Sequence, residues 1–237
     1  MTTRQSLSGL MLLLILSVSS LHLIAAQTSI PPKYDGFVYK GKGAHGGALL
    51  DSIIVEAFFD PVCPDSRDSW PPLKQVLKYY SHRISLIVHP FPLPYHDNAF
   101  VSSRALHIAN KLNASTTYPL LEKFFKHQEK FYNKPTHNIS RASVVSLISK
   151  FMTKVLGNSS LPDIESGFLD TKTDHATRVS FKYGCSRGVI GTPFFFVNGF
   201  PLPDAGSALG YNKWRSIIDP LVNDNTEMTK EPFHFLL

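Results

Sequence analysis

The order of hydrophobic patterns along the chain predicts the fold before any single residue does. IIVEAFF, residues 53–59, is a nearly continuous apolar run that stops at Asp60-Pro61, as expected of a strand buried on both faces. ISLIV, residues 84–88, repeats the pattern and closes on PFPLP. Between them LKQVLKYY places Leu73, Val76, Leu77 and Tyr80 on one helical face. Pro64 suits a first helical position, where a missing N–H costs nothing. Pro71 and Pro72 predict a kink between a first turn and the longer helix. Strand, helix and strand in this order predict a parallel βαβ unit.

From residue 98 to about 183 the period becomes helical, in AFVSSRALHIANKL, YPLLEKFFKHQEKFY and SVVSLISKFMTKVL. Phe124, Phe125 and Phe131 are expected in the core of this block, with an exposed part of the cluster as an alternative peptide-binding patch. GTPFFFVNGF then reads as a strand that turns at Asn198-Gly199 into a hairpin. YNKWRSIIDPLV reads as an amphipathic helix ending near Pro220. Residues 27–52 form a Pro- and Gly-rich lead-in with one edge strand at Phe37-Val38-Tyr39. The expected body is 53–222, and 223–237 is a tail.

One basic residue, Arg4, precedes the apolar stretch of residues 9–26, the layout of a secretory signal peptide over 1–26, cut after Ala26. An N-terminal membrane anchor is the alternative. Ser17, Ser19, Ser20 and His22 dilute the stretch and no basic cluster follows it, so no stable anchor is expected after cleavage. Asn113, Asn138 and Asn158 each open an Asn-x-Ser/Thr sequon and are expected glycan acceptors in a secreted chain. The sequence ends PFHFLL, without a KDEL-type signal, which favours export over ER residence; the ER lumen or vacuole is the alternative location. Seventeen Phe and nine Tyr imply a sizeable packed core. The net charge of +6 is scattered along the chain, so it reads as a solvated surface and not as a nucleic-acid footprint.

The candidate chemistry sits in AFFDPVCPDSRDSWPP. Cys63 lies just past the first strand, at a predicted helix start whose unpaired N–H groups and macrodipole stabilise a thiolate. Asp65 and Asp68 oppose that effect, and Arg67 offsets part of it. Ser66 stands where a C-x-x-C motif has its second cysteine. A serine hydroxyl can donate a hydrogen bond to the thiolate, but it cannot resolve a mixed disulfide. His89 and His96 flank PFPLP near the strand end. Their spacing matches no zinc pattern, so no metal site is expected, and His96 reads as punctuation before the helix at Asn98, with a base as the alternative.

FFDPVCPDS and GTPFFFVNG, spaced around a helical insertion, resemble the DsbA-like branch of the thioredoxin superfamily over residues 53–222. The form is plant-type, with C-P-D-S in place of C-x-x-C. The resemblance implies an α/β thioredoxin-like fold with an inserted helical block, and a cis Thr192–Pro193 bond facing the thiol. It makes Cys63, Pro64, Ser66, Thr192 and Pro193 the site and implies no cofactor. Disulfide-bearing or thiol proteins, and glutathione, are the implied partners. Three readings stay open: monothiol thiol–disulfide exchange, as an oxidoreductase or isomerase; an inactive scaffold gripping extended peptide; and a glutathione-handling, transferase-like protein. Cys185, eight residues before Pro193, is either bridged to Cys63 or a separate, largely buried thiol.

Overall fold

The computed structural model describes residues 33–39, 52–203 and 206–228. The expected signal peptide, most of the lead-in and the end of the tail lie outside the described residues. At the centre is a five-stranded sheet of order β1-β3-β2-β4-β5. β2 (Ile53–Phe59) and β3 (Ile84–Pro90) pair in parallel, from Ile53↔Ile84 to Phe59↔Pro90. α1 (Pro64–Tyr80) is the crossover between them. β1 (Phe37–Val38) lies antiparallel on the outer side of β3. β4 (Phe194–Val197) pairs antiparallel with β2, and β5 (Phe200–Pro201) with β4. Asn198 and Gly199 have φ of 47° and 83°, the conformation that a two-residue hairpin turn requires and that these residue types tolerate. Asn198 also caps the neighbouring strand: its side-chain carbonyl accepts the Ile54 amide at 2.9 Å.

Alternation along β2 and β4 assigns side chains to opposite faces. Val55, Ala57 and Phe59 join Phe195 and Val197 in a large core with Trp70 and Leu73 of α1 and Trp214 and Ile218 of α8 (Tyr211–Met228). Phe58, Phe194 and Phe196 face the other way, into a smaller cluster that contains Cys63. The connection from β3 to β4 is helical: α2 (Ala99–Leu112), α3 (Thr117–His127), the short α4 (Asn133–Thr136), α5 (Arg141–Leu156), α6 (Leu161–Leu169) and α7 (Thr171–Ser186). Phe124, Phe125 and Phe131 are all buried, so this cluster is core and offers no exposed peptide patch. Among the described residues no helix is long and apolar enough to cross a membrane.

Two expectations about proline are corrected. α1 runs without a break through Pro71 and Pro72, and α8 continues past Pro220 to Met228. The carbonyls that Pro71 and Pro72 leave without amide partners belong to Arg67 and Asp68, on the side of α1 that reaches solvent. On an exposed helix face water can take up such bonds, while Trp70, Leu73, Val76 and Leu77 hold the opposite face in the core. Pro220 is likewise exposed.

α7 covers the second face closely because Gly184 has no side chain: a Cβ there would lie 2.5 Å from the Phe91 ring. Beneath α7 runs a chain of alternating charges. His89, fully buried in β3, places Nδ1 2.8 Å from Asp35 and Nε2 3.3 Å from Glu56. Glu56 in turn accepts the Tyr183 hydroxyl at 2.9 Å and pairs with Arg187 at 3.4 Å. Burial works against a charged His89, but the bonds to both carboxylates outweigh it and raise its pKa. The Asp35 carboxylate also accepts the Ser180 hydroxyl at 2.7 Å. Ser180 then lies 3.1 Å from His107 Nε2; with its own proton committed to Asp35, it can only accept there, which places a proton on His107 Nε2.

Burial lowers the His107 pKa from 6.5 to about 4, against a weaker opposing pull from Asp35. The unfolded chain therefore binds more protons than the folded one in that window. The His107 contribution is fully present above pH 6.5 and is lost as pH falls towards 4. That of His89 has the opposite sign: present below its unfolded pKa and lost as pH rises through the raised folded value. His107→Phe keeps a ring packed on Phe37 and should flatten the acid-side loss. Denaturant unfolding at a series of pH values is expected to show a smaller fall in stability between pH 6.5 and 4 than in the parent. Equal falls in both proteins would mean that His107 titrates normally.

Candidate functional site

At the end of β2 the chain is turned by Asp60, whose carboxylate is completely buried. Its Oδ1 accepts the Val62 amide at 2.9 Å, and its Oδ2 accepts the Leu93 amide at 3.2 Å. The same Oδ2 lies 2.8 Å from His96 Nδ1. A carboxylate oxygen is the acceptor in this pair, so Nδ1 is the ring nitrogen that donates to it. His96 thus does more than mark the start of α2. His89, by contrast, is committed to Asp35 and Glu56 within the sheet. The Asp60 carbonyl accepts the Cys63 amide at 3.0 Å, closing a tight turn that delivers Cys63 to the helix.

Cys63 is the N-cap residue of α1, with extended backbone (φ −84°, ψ 125°), and Pro64 begins the helix. The thiol is a free one, 3% exposed, and its Sγ donates to the Thr192 carbonyl at 3.5 Å. The peptide bond between Thr192 and Pro193 is cis. Thr192 Oγ1 is buried and has no hydrogen-bond partner among the described residues. Ser66 is fully buried one turn into α1, and its Oγ accepts the Asp60 amide at 3.3 Å. The oxygen of Ser66 thus braces the turn behind Cys63. Arg67 is paired with Asp68 at 2.7 Å in a half-exposed pair, so its charge goes to that neighbour and offsets little else.

The Cys63–Cys185 bridge is not formed, and Cys185 is exposed rather than buried. The reason is helical phase. Gly184 faces the sheet in the last turn of α7, so the next residue is rotated about 100° away from it, towards solvent.

Several side chains of the site carry no motif. Gln128, fully buried in the 3-10 turn Gln128–Phe131, donates through its amide to the Pro61 carbonyl at 3.2 Å and the Cys63 carbonyl at 3.1 Å. The Tyr132 hydroxyl donates to Gln128 Oε1 at 2.9 Å and orients that amide. Burial raises the Tyr132 phenol pKa, opposed by Arg67 and assisted by Glu129, Cys63 and Asp68. Burial also raises that of Tyr95, and the charges of Cys63, Asp60 and Asp65 add to it. Tyr95 and Tyr132 therefore both stand within electrostatic reach of the thiol. Tyr95 is 64% exposed and Ile190, just before the cis-proline segment, 86%, so large apolar surfaces occur in both loops near a buried sulfur. Among the described residues no three His, Cys, Asp or Glu side chains gather so as to hold a metal ion.

No protein-family model and no curated protein sequence matches the chain. Solved structures do. A candidate protein-disulfide isomerase from Pseudomonas syringae superimposes with a TM-score of 0.61 at 20% identity, covering 70% of this chain and 93% of that one. The thiol-disulfide exchange protein alpha-DsbA2 from Wolbachia pipientis gives 0.58 at 17%, covering 78% and 87%. ScsC from Proteus mirabilis, in a compact conformation, gives 0.59 at 16%, covering 94% and 95%. This chain has the DsbA-like thioredoxin fold. In this DsbA-like frame the helical block lies between β3 and β4, and Gln128 carries its hold on the Cys63 turn.

Gln128→Leu would leave the Pro61 carbonyl buried without a donor and remove one of the two donors to the Cys63 carbonyl, the other being the Arg67 amide. A cost of about 2 kcal/mol is expected, the usual penalty for stranding a buried polar group. The loosened turn should also speed native-state alkylation of Cys63. Urea unfolding and iodoacetamide kinetics measure the two effects. An unchanged alkylation rate in a destabilised variant would reduce Gln128 to a general packing residue.

Proposed function

We propose that the protein acts in the secretory pathway and exchanges disulfides through the single thiol of Cys63. The observation that carries this reading is the contact of Cys63 Sγ with the Thr192 carbonyl beside the cis peptide bond, with serine and not cysteine one helical turn on. Exposed Tyr95 and Ile190 suit the apolar residues of a partly unfolded disulfide-bearing protein. The solvent exposure of Asn113, Asn138 and Asn158 supports their role as glycan acceptors. The Salmonella enterica protein of similar fold is described as periplasmic, which agrees with an exported location.

The chemistry is two displacements. The Cys63 thiolate attacks one sulfur of a substrate disulfide; a Cys63–substrate disulfide forms, the substrate S–S bond breaks, and the second substrate sulfur leaves as thiolate. With no second cysteine in the motif, an outside thiolate, glutathione or a protein thiol, then attacks the substrate sulfur. That forms a new disulfide on the substrate and returns the electron pair to Cys63. Each step exchanges one S–S bond for another, so the cycle needs no further oxidant. The proton that Cys63 sheds on becoming a thiolate, and those that the departing thiolates take up, are exchanged with solvent.

The burial of Cys63 favours a second reading, a scaffold that grips extended peptide without chemistry. Cys63→Ser separates the two. On the exchange reading it abolishes mixed-disulfide trapping of a peptide disulfide, whereas Ser66→Ala leaves trapping intact. On the scaffold reading the parent forms no mixed disulfide and peptide binding survives Cys63→Ser. Exchange at the parental rate without Cys63 would overturn the proposal. Ser66→Cys should add dithiol activity in insulin reduction, because a resolving thiol then sits at i+3 on the first turn. A bridged Ser66→Cys protein that exchanges with no peptide would favour the scaffold.

A further inference from the structure

Four helices of the inserted block line a half-open cavity of about 260 Å³. Three of them contribute a pair at i and i+4, so both members share one face: Phe100 and Arg104 from α2, Arg141 and Val145 from α5, Asp174 and Arg178 from α7. Val101 of α2 and Phe168 of α6 complete the wall. The guanidinium groups lie against rings: Arg178 is 5.4 Å from the Phe100 centroid and Arg104 is 5.8 Å from that of Phe168.

The charge on this lining is not balanced. Asp174 is shared, 2.6 Å from Arg178 and 3.7 Å from Arg104. Arg141 donates to the Asp97 carbonyl at 3.3 Å and has no carboxylate within ion-pair distance among the described residues. Burial lowers the Arg141 pKa, and the like charge of Arg104 lowers it further, as expected of two cations facing one space. Arg104 has a structural duty too, since it donates to the Asp170 carbonyl and the Thr173 hydroxyl at the α6–α7 junction, both at 2.9 Å. Its Nη1 still points its charge at the Asp174 side of the cavity.

We infer that this cavity binds a small organic carboxylate, its anionic group held by Arg141 with Arg104 and Arg178, and its apolar body lying between Phe100, Phe168 and Val145. Planar guanidinium forks match a carboxylate, and the half-apolar wall matches a hydrocarbon body. Asp174 in the lining disfavours a doubly charged phosphate. The inference stands apart from the chemistry proposed for Cys63.

Calorimetric titration of the full chain with phenylacetate, hexanoate, phenylacetamide and inorganic phosphate tests it. Phenylacetate or hexanoate should bind saturably at one site, and the neutral amide should bind about tenfold more weakly, the worth of one charge-assisted hydrogen bond. Arg141→Gln should weaken phenylacetate binding by a similar factor, and Val145→Trp, which fills the cavity, should abolish it. Cys63 alkylation should be unchanged in both variants, which shows that they remain folded. Failure of both carboxylates to bind, or binding untouched by either substitution, overturns the site. Phosphate binding as tightly as phenylacetate overturns the organic carboxylate as its ligand.

Discussion

The arrangement around Cys63 depends on one buried carboxylate. Asp60 collects the Val62 amide, the Leu93 amide and His96 on its two oxygens, while its own amide and carbonyl engage Ser66 and Cys63. It thereby joins the end of β2, the segment after β3 and the first turn of α1. A carboxylate without solvent is tolerated only when its lone pairs are filled, and here the filling groups are the backbone of the site itself. The geometry of the thiol is therefore a consequence of solvating Asp60 internally.

A second layer of polar groups supports the other face of the sheet. Asp35, His89, Glu56 and Arg187 alternate in sign beneath α7, and the Phe58 ring stacks on His89 with centroids 4.6 Å apart. Phe58 also belongs to the cluster that buries Cys63, so the ionic chain and the thiol share a packing neighbour. Removing one charge from such a chain leaves its partner desolvated and unpaired, which costs more than the intact pairing contributes.

The helical block takes part in the site as well as filling space between strands. Gln128 holds the turn before α1. A few residues on, Asn133 accepts the Asp97 amide and donates to the Tyr95 carbonyl, both at 2.9 Å, and so fixes the loop that carries Tyr95 and His96. Both ties originate in one short stretch, residues 128–133. The same block lines a half-open cationic cavity with side chains repeating at i and i+4, so one insertion serves two separate places in the molecule.

Much of the fold is legible in the chain because short-range rules decide it. Continuous apolar runs mark strands buried on both faces, Asn198-Gly199 fits a turn that needs positive φ, and helical spacing marks the insertion. Cys63 at a helix start follows from the strand end and Pro64. Proline arithmetic failed at Pro71, Pro72 and Pro220, since packing of the opposite helix face and water on the exposed one outweigh a lost hydrogen bond or two. Gln128, Asn133 and the use of Asp60 were invisible, because a buried amide or carboxylate has meaning only through partners distant in sequence. Glu56 was a missed signal: a lone acid inside an apolar run must find a cation, and that was open to inference. The sequence by itself determined which segments are strands and helices and where the thiol falls on them, through local sterics and periodicity. Only the tertiary structure decided that Ser66 braces a turn, that Cys185 faces solvent and that the arginines of three helices share one cavity, because those outcomes depend on which faces meet.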